Sequence, residues 1–328
     1  MTFKRAIVTA VGPLRILIDG DTVPIPFTPK SLIDPATLTV DDVVHADQSG
    51  HRLLVLGRSG GLGLVSGRNL IINGGFRTNQ RGYVSGTGFG STAYSFDRWA
   101  LNGTLTFTAL PAGQAVTMGV GSTVDQFIEI ENGVTGDHVL SWAGTALGII
   151  GWTLAGVAGS TGYLSSPVTV TIPAGVTQIS VRLYAPVESD TGSEVKFERG
   201  SIPTPFELPP IGEELAACYR YYWRLNGSVT NGIAVANGAL WSSTEAFLVL
   251  QLPVTMRAKP TMTHPSGSSS YGVYSRGGAV ATDNISLFRA GVSTAELYAT
   301  SASMGTVGDA AWMRIENASG WLAFDAEL

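Results

Sequence analysis

Glycine punctuates this chain. It supplies 41 of the 328 residues, far above ordinary usage, and it breaks the sequence into short apolar runs separated by turns. Because glycine accepts positive φ freely but weakens the interior of a helix or strand, such a chain favours many short strands joined by tight turns. Charge agrees with this, since 14% of residues are charged against 44% hydrophobic. The expected class is all-β.

A length of 328 residues exceeds one ordinary core, so two or three domains of roughly 100–150 residues are expected. The net charge of -5 leaves no basic surface able to neutralise a run of phosphates, which argues against nucleic acid as a partner and against anionic membranes. Cys218 is the single cysteine. It rules out a disulfide within the chain, leaves stability to packing or oligomerisation, and reads as a small buried apolar residue. Met1 to Arg5 carries the charge of a signal peptide, but the apolar run that follows breaks at Gly12-Pro13 and meets Arg15, so no secretion signal is expected. Residues 139–159 carry no charge and contain Gly144 and Gly148 at the spacing of paired membrane helices. Their glycines, and an uncharged Ser/Thr-rich continuation to Val181, favour buried strands, so no membrane insertion is expected.

Four segments emerge. In residues 1–58, apolar runs at 6–11, 14–18, 43–46 and 53–56 alternate with turn signals at Gly12-Pro13, Asp19-Gly20-Asp21 and Ser49-Gly50, which predicts a small antiparallel barrel or meander. Residues 59–67, opening Ser59-Gly60-Gly61-Leu62-Gly63, read as a glycine-rich linker. Residues 68–209 include runs at 168–172 and 179–183 that alternate with period two, as half-buried sandwich strands do. Residues 210–328 open on a predicted helix over 212–225. Glu213 and Glu214 lie in its first turn and Arg220 and Arg224 near its end, each matching the helix dipole. Leu215, Cys218, Tyr219 and Tyr222 share one face of it.

Arg15-Ile16-Leu17-Ile18-Asp19-Gly20-Asp21-Thr22-Val23-Pro24 resembles the OB-like N-terminal domains of actinobacterial phage tail proteins, which implies a particle-docking end. Asn69-Leu70-Ile71-Ile72-Asn73-Gly74-Gly75-Phe76, Gln80-Arg81-Gly82 and Asp97-Arg98-Trp99, closed by the run from Lys196 to Glu207, resemble the carbohydrate-binding-like jelly rolls of such proteins over residues 69–207. The run from Glu214 to Tyr222, with Leu252-Pro253-Val254 and Phe324-Asp325-Ala326-Glu327-Leu328, resembles the C-terminal domain of many phage tail fibres. The resemblance implies an OB-like N-terminal barrel, a central jelly-roll β-sandwich and a C-terminal β-sandwich domain preceded by one short α-helix. It also implies a non-catalytic receptor-binding subunit at the tail tip or tail fibre of a virion, which attaches to a host cell-wall polysaccharide and contacts other tail or baseplate proteins. A homotrimer is the usual state of that family, and Leu215, Cys218, Tyr219 and Tyr222 are the expected oligomer contacts. Two other functions stay open: a purely structural tail or baseplate component, and a glycan depolymerase or esterase.

The motifs that suggest chemistry have plainer explanations. Gly57-Arg58-Ser59-Gly60-Gly61 has nucleophile-elbow spacing, but glycines follow where the elbow needs a helix. The same defect spoils Gly61-Leu62-Gly63 as a dinucleotide loop. His45, His51, His138 and His264 show no zinc-like pairing. Glu129 and Glu131 fall on one strand face, as at a solvated edge, rather than as a glycosidase pair. Related jelly rolls often hold a structural calcium through acids, but here Arg77 follows Phe76 where those relatives carry an acid; a structural calcium held by other oxygen ligands stays open, and no cofactor, metal or catalytic residue is assigned. Glu194, Lys196 and Glu198 are expected outside, with Val195 and Phe197 inside. Among the middle-segment aromatics, Tyr83, Phe89, Tyr94, Phe96, Trp99, Trp142, Trp152, Tyr163 and Tyr184, most must be core. Tyr94, Trp142, Trp152 and Tyr163, with Arg98, are the candidate sugar ligands there. Tyr271 and Tyr274, on a serine-rich loop spanning 266–274, join them as the rings expected to be most exposed, while Trp241, Trp312 and Trp321 stay open either way.

Overall fold

A computed structural model describes residues 2–18, 21–32, 38, 43–49, 52–58, 69–110, 113–130, 134–227, 232–265, 270–282 and 284–327. Among these the chain is all-β save for one helix. Strands β1 (Thr2–Val11), β2 (Leu14–Ile18), β3 (Lys30–Ser31), β4 (Val43–Ser49) and β5 (Arg52–Arg58) form a sheet ordered β2-β1-β4-β5-β3. Alternation builds its core: Leu14, Ile16 and Ile18 turn inward with Ala6, Val8, Val44 and Val55. The expected linker at 59–67 lies outside the described residues.

The second sheet is the largest. It comprises β6 (Gly88–Phe96), β7 (Trp99–Leu110), β8 (Gly113–Met118), β9 (Thr123–Ile128), β10 (Gly136–Ala143), β11 (Leu147–Leu154), β12 (Val157–Ser160), β13 (Val168–Ile172), β14 (Val176–Tyr184) and β15 (Asp190–Arg199). Its order is β12-β11-β14-β9-β7-β8-β15-β10-β13, with β6 on β7. It curls round one core in which Phe76 stacks on Trp99 at 5.0 Å and Phe96 on Phe107 at 4.9 Å. The uncharged run at 139–159 falls in β10, β11 and β12. Gly148 is needed there because a Cβ would sit 2.3 Å from the Trp142 indole. No helix among the described residues is long and apolar enough to cross a membrane.

Strand β15 is covered on both faces along residues 195–198. Val195 and Phe197 face inward as expected, but Lys196 and Glu198 are buried as well. Residues 204–205 pass over them: Lys196 Nζ donates to the Pro205 carbonyl at 3.0 Å, and Glu198 accepts from Thr204 N–H at 2.7 Å. A buried lysine and glutamate 3.4 Å apart satisfy each other, which is the condition for charges to leave water.

The helix α1 (Ile211–Tyr219) is shorter than its sequence pattern predicts. Tyr222, Trp223 and their neighbours form β16 (Tyr222–Asn226) instead, paired with β25 (Trp321–Asp325) from Tyr222↔Asp325 to Asn226↔Trp321. Aromatic residues favour a pleated, half-buried surface, and a waiting partner strand overrides weak helix propensity. Strand β19 (Thr261–Thr263) completes this three-stranded sheet, while β17 (Ile233–Ser242), β18 (Glu245–Gln251), β20 (Tyr271–Ser275), β21 (Gly278–Thr282), β22 (Asn284–Ala290), β23 (Thr294–Thr300) and β24 (Ala310–Ile315) form a seven-stranded one. Its order is β21-β20-β24-β17-β18-β23-β22. Leu240, Leu248, Val273, Leu297 and Met313 face one core together with Trp223 and Phe324 of the smaller sheet.

Candidate functional site

The phrases that mark the middle segment converge in space. Asn73 donates through Nδ2 to the carbonyls of Thr78 and Asp97 and accepts at Oδ1 from the N–H groups of Arg77 and Thr78, while Trp99 Nε1 donates to its carbonyl. Gln80 bonds Asp97 through both its backbone N–H and its Nε2. Asp97 and Arg98 form the two-residue turn between β6 and β7, with Arg98 at φ 67°.

There the C-terminal phrases meet them. The Arg98 guanidinium pairs with Glu327, donates to the Phe127 carbonyl at 2.6 Å and lies 3.6 Å over the Tyr221 ring. Arg81 reaches Asp325 at 3.0 Å and Glu327 at 3.3 Å and lies 3.8 Å over Tyr222. Arg220 holds Glu129 through Nε at 3.1 Å and Nη2 at 2.8 Å, and Tyr221 OH donates to the same carboxylate at 2.7 Å. The two segments are thus joined by charges out of water: the side chains of Arg98 and Glu327 are 1% and 4% exposed. Burial pushes the Asp97 carboxyl up to about 6 and raises Glu327. At Glu129 burial acts the same way, but the bonds from Arg220 and Tyr221 outweigh it and hold that carboxyl below its usual range.

This joint takes up several of the residues that the sequence assigns to ligand or to neighbouring copies. Arg98 is buried in it, and Tyr94 is half-buried 5.5 Å from Arg81, its hydroxyl pushed up to about 12 chiefly by burial. Cys218 and Tyr222 are buried within the chain, and Tyr219 packs against Trp223. Leu215 is half-buried. The helix face expected at a symmetry axis is therefore largely occupied by the chain's own residues. Trp142 belongs to the core and Trp152 packs against it, its indole lying over Gly159. Tyr271 is not a loop residue: it opens β20, is fully buried and donates its hydroxyl to the Trp321 carbonyl at 2.7 Å. Residues 266–269 of that expected loop lie outside the described residues.

Tyr274 remains half-exposed, and it leads to a surface the sequence did not single out. The outward side of the seven-stranded sheet carries Tyr274 stacked on Trp312 at 5.6 Å, with Arg314 5.0 Å from the Tyr274 ring. Across Asn237, Ala239 and Ala310, all exposed, lies a second group. Phe247 is its hub, 6.1 Å from Trp241, 4.9 Å from Phe288 and 5.1 Å from Tyr298. Phe247 and Tyr298 are direct cross-strand partners. Trp241 and Phe288 reach the surface by another device, because the register slips between Leu240 and Ser242 and between Leu287 and Arg289. Each is the extra residue of a β-bulge, which re-aims a side chain. Trp241 is 71% exposed.

A smaller outward cluster lies on the middle sheet. Tyr163 is exposed, with its ring 4.8 Å from that of Tyr184, and Arg182 sits beside them, paired through Nε and Nη2 with the buried Asp125. Those bonds raise the Arg182 pKa. Between the middle sheet and α1 opens a cleft of about 780 Å³, floored by Leu70, Ile72 and Phe206 and edged by Glu129, Glu213 and Arg220. No group of three or more His, Cys, Asp or Glu able to hold a metal ion occurs among the described residues.

No protein-family model matches the chain, and no curated protein does. Among solved structures it is similar to wild-type discoidin II from Dictyostelium discoideum, 12% identical over 80% of this chain and 93% of that one, with a TM-score of 0.19. It is also similar to the tandem CBM51 modules of a family 98 glycoside hydrolase from Streptococcus pneumoniae, 8% identical over 65% of this chain and 84% of that one, with a TM-score of 0.17. At such scores neither likeness adds weight to the sheets themselves.

Proposed function

We propose that this chain is an attachment subunit of a phage tail fibre or tail tip, which holds a host cell-wall polysaccharide without modifying it. The observation that carries this is the outward face of the seven-stranded sheet, where Tyr274, Trp312, Trp241, Phe247, Tyr298 and Phe288 present rings to solvent. Large apolar groups gathered on a surface mark a place of contact. The sheet fixes their positions, and strand spacing near ~4.8 Å sets the steps between rings on successive strands. Sugar rings offer C–H faces to such platforms while Asn237, Arg314 and the tyrosine hydroxyls can bond ring substituents. The sequence resemblance to tail fibres supplies the setting, with the N-terminal sheet docking to tail or baseplate proteins. Display as a homotrimer would strengthen weak single contacts, because later binding steps become intramolecular.

The test is a glycan array and a host-wall pull-down with the full chain and with Trp241→Ala combined with Phe288→Ala. The double variant should melt as the parent does and bind at least about tenfold more weakly, a difference of ~1.4 kcal/mol. Equal binding by both proteins, or no polysaccharide binding by the parent, would leave the face as a contact for another tail component. Release of products from the polysaccharide would identify an enzyme instead.

A further inference from the structure

The Arg182 corner has one property that its ion pair does not explain. A guanidinium has five donor hydrogens in a planar fork. Asp125, itself buried, takes the side-on pair from Nε and Nη2, with Nη2 to Oδ2 at 3.1 Å, and Nη1 donates a third hydrogen to Tyr163 OH at 3.4 Å. One hydrogen on Nη1 and the end-on hydrogen of Nη2 are left on that fork, with no acceptor among the described residues. Arg182 is 41% exposed, so solvent and solutes reach that fork.

The surroundings hold it in place. Arg182 lies between Asp125 of β9 and Ile149 of β11 on the strand ladder, and Tyr184 follows it two residues later on the same face. Tyr163 and Tyr184 meet at 42°, making an angled wall of two rings beside the fork. Gly151 and Ser180, paired next along the strands, are small residues on that side of the face, with Phe127 of β9 beyond Ser180. A structural ion pair accounts for Asp125 and the side-on edge of Arg182. It does not account for a free bidentate edge standing against two rings.

We propose that Arg182, Tyr163 and Tyr184 form a subsite for an acidic sugar, whose carboxylate accepts the remaining hydrogens of Nη1 and Nη2 while its ring lies against the tyrosines. The fork geometry matches a planar carboxylate bidentately, and the rings distinguish a sugar acid from a bare anion. This rests on the glycan-attachment function proposed above and adds to it the class of sugar selected. A phosphate oxyanion would present the same acceptor chemistry, so the test separates the two.

Calorimetry with the full chain should show an oligomer of glucuronate binding about tenfold or more tightly than the matching oligomer of glucose. Inorganic phosphate at the same concentration should compete poorly. Arg182→Lys keeps the charge and loses the fork, and should bring the ratio close to one; Tyr184→Leu should weaken both oligomers together. Because Arg182→Lys disturbs a buried carboxylate, the parent supplies an independent readout: the arginine side-chain resonances of Arg182 should shift with glucuronate and not with glucose. No preference for glucuronate, a preference that survives Arg182→Lys, or full competition by phosphate would each overturn the subsite. The outcomes are separable from those of the larger platform. If Trp241→Ala with Phe288→Ala binds normally while the Arg182-dependent preference stands, the sheet-face site falls and this one holds.

Discussion

The joint between the middle and C-terminal sheets and the outward face of the seven-stranded sheet are made of the same parts. Both set arginines over aromatic rings: Arg98 over Tyr221 and Arg81 over Tyr222 in one, Arg314 near Tyr274 and Arg289 4.8 Å from Phe288 in the other. Their surroundings are opposite. At the joint each guanidinium also meets a carboxylate and the central Arg98–Glu327 pair is sealed from water, whereas on the face Trp241 and Phe288 stand in solvent. An arginine on an aromatic ring is therefore no sign of a ligand by itself. What separates a weld from a platform is whether a second element of the chain already covers it.

The comparison breaks most visibly at the joint. Arg98→Ala leaves Glu327 buried beside only one remaining partner, and loss of one member of a buried pair costs about 3–5 kcal/mol. Urea unfolding should show that loss; a change under ~1 kcal/mol would mean that water reaches the pair. Tyr271→Ala and Tyr274→Ala sharpen the same contrast three residues apart. Removing the buried ring should cost about 3–5 kcal/mol, and removing the outward one no more than ~0.5–1 kcal/mol, read from the same melts.

Acidity tests the joint more gently. Asp97 titrates near 6 in the folded chain, above its ordinary 3.8, so the folded state holds that proton more tightly than the unfolded one. Stability should then rise as pH falls from above 6 toward 4, by on the order of 2 kcal/mol, and level off below. Glu327, also raised, acts in the same direction; Glu129, lowered, acts in the opposite one and loses its contribution as pH falls through its folded pKa. Asp97→Asn should flatten the rise, and an unchanged pH profile in that variant would exclude Asp97 as its source. The smallest effect concerns Cys218. Buried beside Asp97 and Glu214, its thiol is held well above the usual range, so iodoacetamide should label it in urea and scarcely in buffer; rapid native labelling would show the joint open.

Much of this was legible in the sequence and some was not, for physical reasons. The period-two run at 168–172 is a strand with those bounds, and Trp99 is core. The phase of Tyr271-Gly272-Val273-Tyr274 also held the answer: Tyr271 and Val273 point one way and Tyr274 the other, but the serines before them suggested a loop. Lys196 and Glu198 obey the alternation and are buried all the same, since the strap at 204–205 that covers them leaves no mark on the strand. Phe288 escaped and Trp241 stayed open because a bulge shifts the phase by one residue, and no local pattern announces it. Arg98 read as a sugar ligand because its partner, Glu327, lies 229 residues away.

That separation bears on how the molecule assembles. Arg81 and Asp325 are 244 residues apart, and Arg220 and Glu129 are 91 apart, so no contact of the joint can help either sheet to nucleate. Closing such loops costs entropy that is recovered only when both ends are already in place. Docking after the sheets have formed is then the expected order, and it would leave a transient species in which Arg98 and the Tyr221 and Tyr222 rings face water. Such a species is prone to stick to its neighbours, and its lifetime, rather than the stability of either sheet, would set the yield of refolding at high protein concentration.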